Sequence, residues 1–313
     1  MRSQKIHVVG FGSQGSAWAQ CLRTSGWDVQ IYLSRKEKSY WNSIQMGFKT
    51  SLLHELPGEL SHSENSGDPH LIAMLCPDSE VAKVYSEYLA NLSVSLRLIL
   101  AHGFAMYSQD LKLMQPNHSC LLLAPKAIGP KLQQHFEKNF PAPHSLVAAF
   151  FSEDSTEVPL LKSLGKGIGF KDESLVWADF SQETIGDLIS EQGLLCGGTF
   201  NLLLMTAEAM IRAGIPPELV REECITELEL IAGMLREKGP GQTFRSISQA
   251  AQCGTVTMSH IFQDPSFKKE FQSQCQSVQN KEFANTFRKG DWQKGAESLQ
   301  QSLDKLEKIF KHP

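Results

Sequence analysis

The run Lys5-Ile6-His7-Val8-Val9-Gly10-Phe11-Gly12-Ser13-Gln14-Gly15 decides how the first half of the chain folds. A short strand-like stretch, Ile6–Val9, leads directly into a G-x-G-x-x-G turn, and a helical pattern over Ala17–Thr24 follows. Glycine at positions 10, 12 and 15 permits a tight turn, close approach of backbone to a pyrophosphate, and close packing of helix on strand. The helix N-terminus beyond the turn offers unpaired N–H groups and a positive dipole end to phosphate. In that context Gly10, Phe11, Gly12, Ser13, Gln14 and Gly15 read as a dinucleotide site rather than an ordinary Gly-rich turn.

Working outward, strand candidates recur at Val29–Leu33, Leu71–Leu75, Leu96–Ala101, Ser119–Leu123 and Leu146–Phe151, with helical stretches such as Ser79–Leu92 between several of them. Strands alternating with helices indicate an α/β fold: a doubly wound parallel sheet of the Rossmann type, with ligands at the strand ends. From Gln182 onward strand-like runs nearly vanish. Pro216-Pro217 suits a helix start, and Gly239-Pro240-Gly241 a stop. Leu299, Leu303, Leu306 and Ile309 make an apolar stripe on a closing helix over Ser298–Lys311. Two domains are expected, a dinucleotide-binding domain at 1–181 and an all-α domain at 182–313. The apolar stretch Leu194–Met205 is shorter than the roughly 20 residues of a membrane span and reads as part of a buried helix.

The second strand bears on cofactor choice. An acidic residue about 20 residues beyond the turn marks an NAD site. Here the strand ends Tyr32-Leu33-Ser34-Arg35-Lys36-Glu37-Lys38-Ser39. A guanidinium at Arg35 and hydroxyls such as Ser39 suit the extra 2′-phosphate of NADP(H).

The 313 residues carry a formal net charge of −4. Nothing in that balance points to nucleic acid or a membrane surface as partner. Seven cysteines, widely spaced and without a C-x-x-C, suit free thiols in a reducing compartment. No apolar signal run precedes the first strand, so the expected location is cytoplasmic.

Asp187 and Glu191 stand four residues apart, and Glu223 and Glu227 repeat the spacing. On a helix each pair points two carboxylates the same way. Apolar neighbours, Ile185, Leu188 and Ile189 for the first pair and Ile225, Leu228 and Ile231 for the second, suggest partial burial. Clustered carboxylates then call for a cation or a proton, and an all-oxygen donor set favours magnesium, manganese or calcium. Spacing alone does not bring the two helices together.

These elements together resemble ketol-acid reductoisomerase in its shorter form. Gly10–Gly15 resembles that family's GYGSQG turn, and Leu75-Cys76-Pro77-Asp78 its L-x-P-D strand end, which approaches the cofactor. Ala101-His102-Gly103-Phe104 matches its AHGF string and Ala124-Pro125-Lys126 its A-P-K. Asp187-Leu188-Ile189-Ser190-Glu191-Gln192 is similar to D-L-F-G-E-Q, Glu223–Leu228 to E-C-L-H-E-L, and Ser246-Ile247-Ser248 to a substrate-contacting S-x-S. The resemblance implies intertwined helical domains and a homodimer or higher oligomer. It implies two Mg2+ ions held by Asp187, Glu191, Glu223 and Glu227, with the pairs drawn from different subunits. It also implies NADPH contacts from Pro77, Asp78 and Gly129, and a substrate contact from Ser248. His102, Lys126 and Glu227 are the implied catalytic groups. The implied reaction, a step in branched-chain amino-acid biosynthesis, is alkyl migration in a small 2-acetyl-2-hydroxy acid, then hydride reduction.

Several positions depart from the family pattern. A-P-K-G-P-G is here Ala124-Pro125-Lys126-Ala127-Ile128-Gly129, and T-A-E-Y-G is Ala250-Ala251-Gln252-Cys253-Gly254. Two other readings stay open on the sequence: an NADP-dependent reductase or dehydrogenase without the isomerase step, and a non-catalytic NADP-binding paralogue.

Overall fold

The computed structural model describes residues 4–62, 68–137 and 146–311. The chain divides into two units, Met1–Thr184 and Ile185–Pro313. The first is built on one eight-stranded sheet. Its strands in chain order are β1 (Lys5–Val9), β2 (Asp28–Leu33), β3 (Lys49–Leu52), β4 (His70–Met74), β5 (Leu96–Leu100), β6 (His118–Pro125), β7 (Ala148–Phe151) and β8 (Leu175–Trp177). Across the sheet the order is β3-β2-β1-β4-β5-β6-β7-β8.

β1 to β6 are all parallel. Their order reverses direction between β1 and β4, and a crevice opens there past the carboxyl ends of the strands. The expected doubly wound parallel sheet is present, with one antiparallel pair. β7 starts beside the end of β6, with Ala148 opposite Pro125, and runs antiparallel to it. Apolar periodicity reports burial, not strand direction. Two strands, β3 and β8, have no counterpart in the sequence reading. Lys-Thr-Ser-Leu and Leu-Val-Trp are a polar edge and a three-residue edge, as edge strands tend to be.

Alternate residues feed two cores. Ile6, Val8, Ile31, Ala73 and Leu121 pack on one face, and Val9, Tyr32, Ile72, Leu98 and Leu122 on the other, as the two-residue period of a strand requires. Toward the β3 edge the second face turns polar. His7 Nδ1 lies 3.1 Å from the Tyr32 hydroxyl. That hydroxyl donates to Glu59 Oε2 at 3.0 Å, and Gln30 Nε2 donates to Glu59 Oε1 at 2.8 Å. Lys49 completes the group with an ion pair to Glu59 at 3.3 Å.

The second unit is helical: Gly197–Arg212, Glu227–Lys238, Gln249–Gln263, Pro265–Gln279 and Trp292–Lys311 are its longer helices. Pro217 stands in the first turn of its helix. Gly239 ends another at φ 75°, a conformation in which glycine meets no Cβ penalty. The buried core here is small: Ala207, Val220, Cys224 and Leu306. Leu194 and Met205 are 68% and 66% exposed, so the expected buried helix is instead an uncovered apolar one in the single chain. The continuous helical run Phe180–Arg212 is also long and apolar enough, by length and composition, to cross a membrane. The sequence reading took only Leu194–Met205 of this run, whereas the helix begins at Phe180 and ends at Arg212.

Burial, reinforced by Lys5 and His70, holds the His7 imidazole down at about 3, from an ordinary 6.5. A folded value below the unfolded one means stability that is complete above pH 6.5 and lost as pH falls toward 3. From pH 6.5 to 5 this one group is expected to cost about 2 kcal/mol. Urea midpoints at the two pH values check it: His7→Leu should show a distinctly flatter dependence than the native chain.

Candidate active site

The turn after β1 has the geometry its glycines foreshadow. Gly10 has φ +104°, and a Cβ there would lie 2.4 Å from the Leu75 carbonyl oxygen, in the segment that leaves β4. Its N–H donates to the Tyr32 carbonyl at 3.1 Å. A Cβ on Gly15 would lie 2.4 Å from the Gly10 carbonyl oxygen. Gly12 differs from both, since a Cβ there meets nothing within 4 Å. The backbone is therefore open to a ligand at Gly12, at the N-terminus of the helix Ser13–Thr24. Phe11 is buried against Phe48, ring centroids 5.7 Å apart, so its side chain supports the turn from below. Gly129 packs on Ser13, where a Cβ would lie 2.1 Å from the Ser13 carbonyl oxygen. Gln14 Nε2 donates to the Ala127 carbonyl at 2.6 Å. Its Oε1 is buried without a hydrogen-bond partner among the described residues. An open backbone, a helix N-terminus and an orphaned acceptor together fit a dinucleotide.

Arg35 and Ser39 lie past the end of β2 and are exposed. Arg35 pairs with Glu37 at 3.6 Å, with both side chains more than 70% exposed. An exposed pair of this kind holds about 0–1 kcal/mol, little against a phosphate dianion. Ser39 sits in the first turn of the helix Lys38–Gln45, whose N-terminus has no side-chain cap. Both residues fit an anion.

Three more strand ends supply charge. Asp78 follows β4 and opens the helix Asp78–Val84. His102 follows β5, and its Nδ1 lies 3.3 Å from Asp78 Oδ2. Lys126 follows β6 and donates through Nζ to Glu183 Oε1 at 2.5 Å. Glu183 is a residue that no motif in the sequence singles out. Its side chain is 1% exposed. Its Oε2 accepts from the Gly103 backbone N–H at 2.7 Å and lies 3.8 Å from His102 Nε2. Gly103 must be glycine, since a Cβ would lie 2.6 Å from both the Phe180 carbonyl oxygen and Thr184 Oγ1. Lone acidic residues near a helix start are common, so no sequence signal singled out Glu183; its burial did. Pro77 caps the helix that Asp78 opens, and its side chain is exposed.

Asp187 lies one turn beyond Glu183 on the helix Phe180–Ser190. The carboxylate pairs differ from expectation in two respects. Each pair adjoins a widened i→i+5 turn, Glu191–Leu195 for one and Glu222–Thr226 for the other. At the first of these, the Cys196 N–H donates to the Glu191 carbonyl at 2.9 Å. Such turns interrupt α-helices at functional sites more often than elsewhere. Burial also differs: Asp187 is half-buried, but Glu191, Glu223 and Glu227 are exposed. Their apolar neighbours are themselves uncovered, for example Ile225 and Leu228. Among the described residues no close group of ligand-type side chains combines the two pairs. Glu223 and Glu227 line a groove with Leu194, Leu202, Phe262 and Phe271. Ser248 is exposed and caps the helix Gln249–Gln263, accepting from the Ala251 N–H at 3.2 Å; its hydroxyl proton is free to donate.

Comparison with known proteins covers nearly the whole chain. Residues 1–173 match the family model described as acetohydroxy acid isomeroreductase, NADPH-binding domain. Residues 180–310 match ketol-acid reductoisomerase, C-terminal domain. The ketol-acid reductoisomerase (NADP(+)) of Kocuria rhizophila is 31% identical, covering 100% of this chain and 88% of that protein. The enzyme of the same name from Petrotoga mobilis is 32% identical, covering 93% and 84%. The solved structure of an NADH-preferring ketol-acid reductoisomerase from an uncultured archean is similar with a TM-score of 0.82, at 25% identity, covering 98% and 92%.

The two turn glycines make separable predictions. Gly12→Val adds a side chain to open space, so the urea midpoint should barely change while NADPH affinity falls at least about tenfold. Gly10→Ala forces a Cβ onto the Leu75 carbonyl and should cost stability as well, on the order of 1–3 kcal/mol of backbone strain alone. Fluorescence titration with NADPH, alongside denaturation of both variants, checks the pair.

Proposed function

The chain belongs to the ketol-acid reductoisomerase family, and from that premise we propose that it converts a 2-acetyl-2-hydroxy acid of the 2-acetolactate class to a 2,3-dihydroxy acid by alkyl migration followed by NADPH-dependent reduction. The observation that carries this reading is the arrangement of His102, Lys126 and Glu183 at the strand ends beside the dinucleotide turn. A buried carboxylate is costly unless compensated. Glu183 is compensated by the Lys126 ammonium and the Gly103 N–H. It thereby fixes an ammonium at the end of β6, where that charge stabilises negative charge developing on a substrate oxygen. His102 has a carboxylate facing each ring nitrogen, Asp78 at 3.3 Å and Glu183 at 3.8 Å. A proton on either nitrogen therefore has a partner, which suits a group that passes protons.

NADPH, when bound at Gly10–Gly15 with its 2′-phosphate at Arg35 and Ser39, supplies the hydride. Two magnesium ions, when bound by Asp187, Glu191, Glu223 and Glu227, supply Lewis-acid polarisation of the substrate oxygens. Carboxylates alone are the donor set that hard cations prefer. Glu227 is also available to take a proton from the substrate hydroxyl. Ser248 donates its hydroxyl proton to the substrate carboxylate.

Two features support a second copy of the chain as partner in a homodimer or larger homo-oligomer. Among the described residues the carboxylate pairs are not gathered within one chain, and large side chains such as Leu194, Met205 and Val256 are more than half exposed. A dimer that covers those faces also gives each metal site its second pair. It removes lipid as the occupant of the Phe180–Arg212 helix and makes the enzyme a soluble one of the cytoplasm.

The direct experiment follows NADPH oxidation with 2-acetolactate, with and without magnesium, and in parallel with the rearranged 2-keto-3-hydroxy acid. Magnesium-dependent turnover of both is expected. Turnover of the keto acid alone would mean that the altered Ala127-Ile128 and Gln252-Cys253 segments no longer support migration, and the protein is a reductase. Failure of both, with NADPH still bound, would defeat the assignment.

Glu183→Gln should lower kcat about 10–100-fold, the worth of hydrogen bonds to a charged group. NADPH affinity should stay within about threefold of the native value. An unchanged kcat would remove Glu183 from the mechanism.

A further inference from the structure

A seam joins the dinucleotide turn to the loop that carries Lys126. The helices Ser13–Thr24 and Gly129–Glu137 begin side by side, with Gly129 pressed against Ser13 so closely that no side chain fits between them. Further along, Gln20 and Gln133 exchange amide hydrogen bonds at 3.2 and 3.1 Å. At the head of the seam Gln14 Nε2 donates to the Ala127 carbonyl at 2.6 Å. That bond fixes how the amide is turned, because only the NH2 side can pair with a carbonyl. Gln14 Oε1 therefore faces inward as a buried acceptor with no donor among the described residues. Phosphate oxygens cannot satisfy it; a ribose hydroxyl, a carboxamide N–H or a water can. The residue before Ala127 is Lys126, whose own N–H donates to the Val147 carbonyl at 2.8 Å and whose ammonium meets Glu183. The loop is thus pinned at Lys126 by Val147, the residue before β7, and at Ala127 from the turn. At its tip the Ile128 side chain is 66% exposed, and the Ile128 carbonyl accepts from the Lys131 and Leu132 N–H groups, both at 3.0 Å, which ties the tip to the helix Gly129–Glu137.

We propose that Gln14 is a positioning residue that ties the dinucleotide turn to the Lys126 loop, so that loading of the turn and placement of the Lys126 ammonium are energetically linked. This rests on the reading of Gly10–Gly15 as the cofactor turn. The physical content is linkage: a ligand that orders the turn orders the loop, and a displaced loop weakens the ligand by the same factor.

Hydrogen exchange with and without saturating NADPH tests it on the full-length protein. In the native chain NADPH should slow amide exchange over 10–16 and over 126–132. In Gln14→Met, of similar length but without an N–H, protection over 10–16 should persist while the added protection over 126–132 is lost. NADPH affinity should fall about threefold to tenfold, the worth of one hydrogen bond. Gln14→Asn keeps the amide one methylene short of Ala127 and should behave as Gln14→Met does, which secures the test if the methionine variant does not fold. Gln133→Met breaks the lower amide pair and should retain the coupling. Equal NADPH-induced protection of 126–132 in the native and Gln14 variants would overturn the proposal, as would an equal loss in Gln133→Met. No protection over 10–16 in the native protein would overturn the cofactor reading itself.

Discussion

A carboxylate almost wholly out of water, at Glu183, is the constraint around which the first unit's strand ends are arranged. Its side chain is 1% exposed, and an uncompensated charge in that position would cost several kcal/mol. Compensation comes from two directions, the Lys126 ammonium and the Gly103 N–H. Each demands a specific local structure. Lys126 must leave β6 at the right height, which the backbone bond from its N–H to the Val147 carbonyl secures. Gly103 must lack a side chain, because the backbone and Thr184 hydroxyl of the helix that carries Glu183 press against it. His102 is placed as a consequence, being the residue before Gly103. One buried charge therefore sets the positions of the ends of β5 and β6, and with them the groups that can act on a substrate.

The helical unit obeys a different economy. Helices are stabilised chiefly by packing an apolar face, yet here the buried residues are few and many large apolar side chains are exposed. Exposed apolar patches well beyond a few hundred Å² are unusual on a monomeric surface and mark interaction sites. Glu223 and Glu227 sit in the same groove as Leu194, Leu202 and Phe271. Covering that groove would lower the local dielectric around both carboxylates and raise the cost of leaving them without a cation. A surface that covers the groove and a cation beside the two carboxylates would therefore favour each other.

Much of this was legible in the sequence, and the parts that were not share a physical cause. Six strands and the dinucleotide turn announce themselves through local pattern, because a strand's period and a glycine's φ are properties of neighbours in the chain. β3 and β8 escaped because edge strands need not be apolar, as Lys49-Thr50-Ser51-Leu52 shows. The antiparallel sense of β7 escaped because burial pattern carries no direction. Asp78, His102 and Lys126 were legible through motif strings. Glu183, 57 residues from Lys126 and 80 from Gly103, was not, since its role exists only in the folded contact. The expectation of partly buried carboxylates at Glu191, Glu223 and Glu227 failed for the single chain for a related reason: apolar neighbours imply a covering surface without saying which molecule provides it.

The widened turns beside both carboxylate pairs carry the argument one step further than the i, i+4 spacing did. An i→i+5 turn inserts one residue into the helical repeat and advances everything beyond it by about 100° around the axis relative to an uninterrupted helix, since 3.6 residues complete a turn. The turn Glu191–Leu195 opens at Glu191 itself, four residues after Asp187, and swings the apolar residues after it. The turn Glu222–Thr226 contains Glu223 and ends just before Glu227, so their relative direction is not the one plain helical spacing assigns. Glycine makes the first of these possible: Cβ atoms at 197 and 198 would fall 2.0 and 2.5 Å from the carbonyl oxygens of Gln192 and Gly193, each five residues back. A sequence with alanine at either position would have to straighten the turn and rotate the following helix. Gly197-Gly198 thus permits the widened turn that follows Asp187 and Glu191, and its contribution is to aim the side chains of the helix Gly197–Arg212.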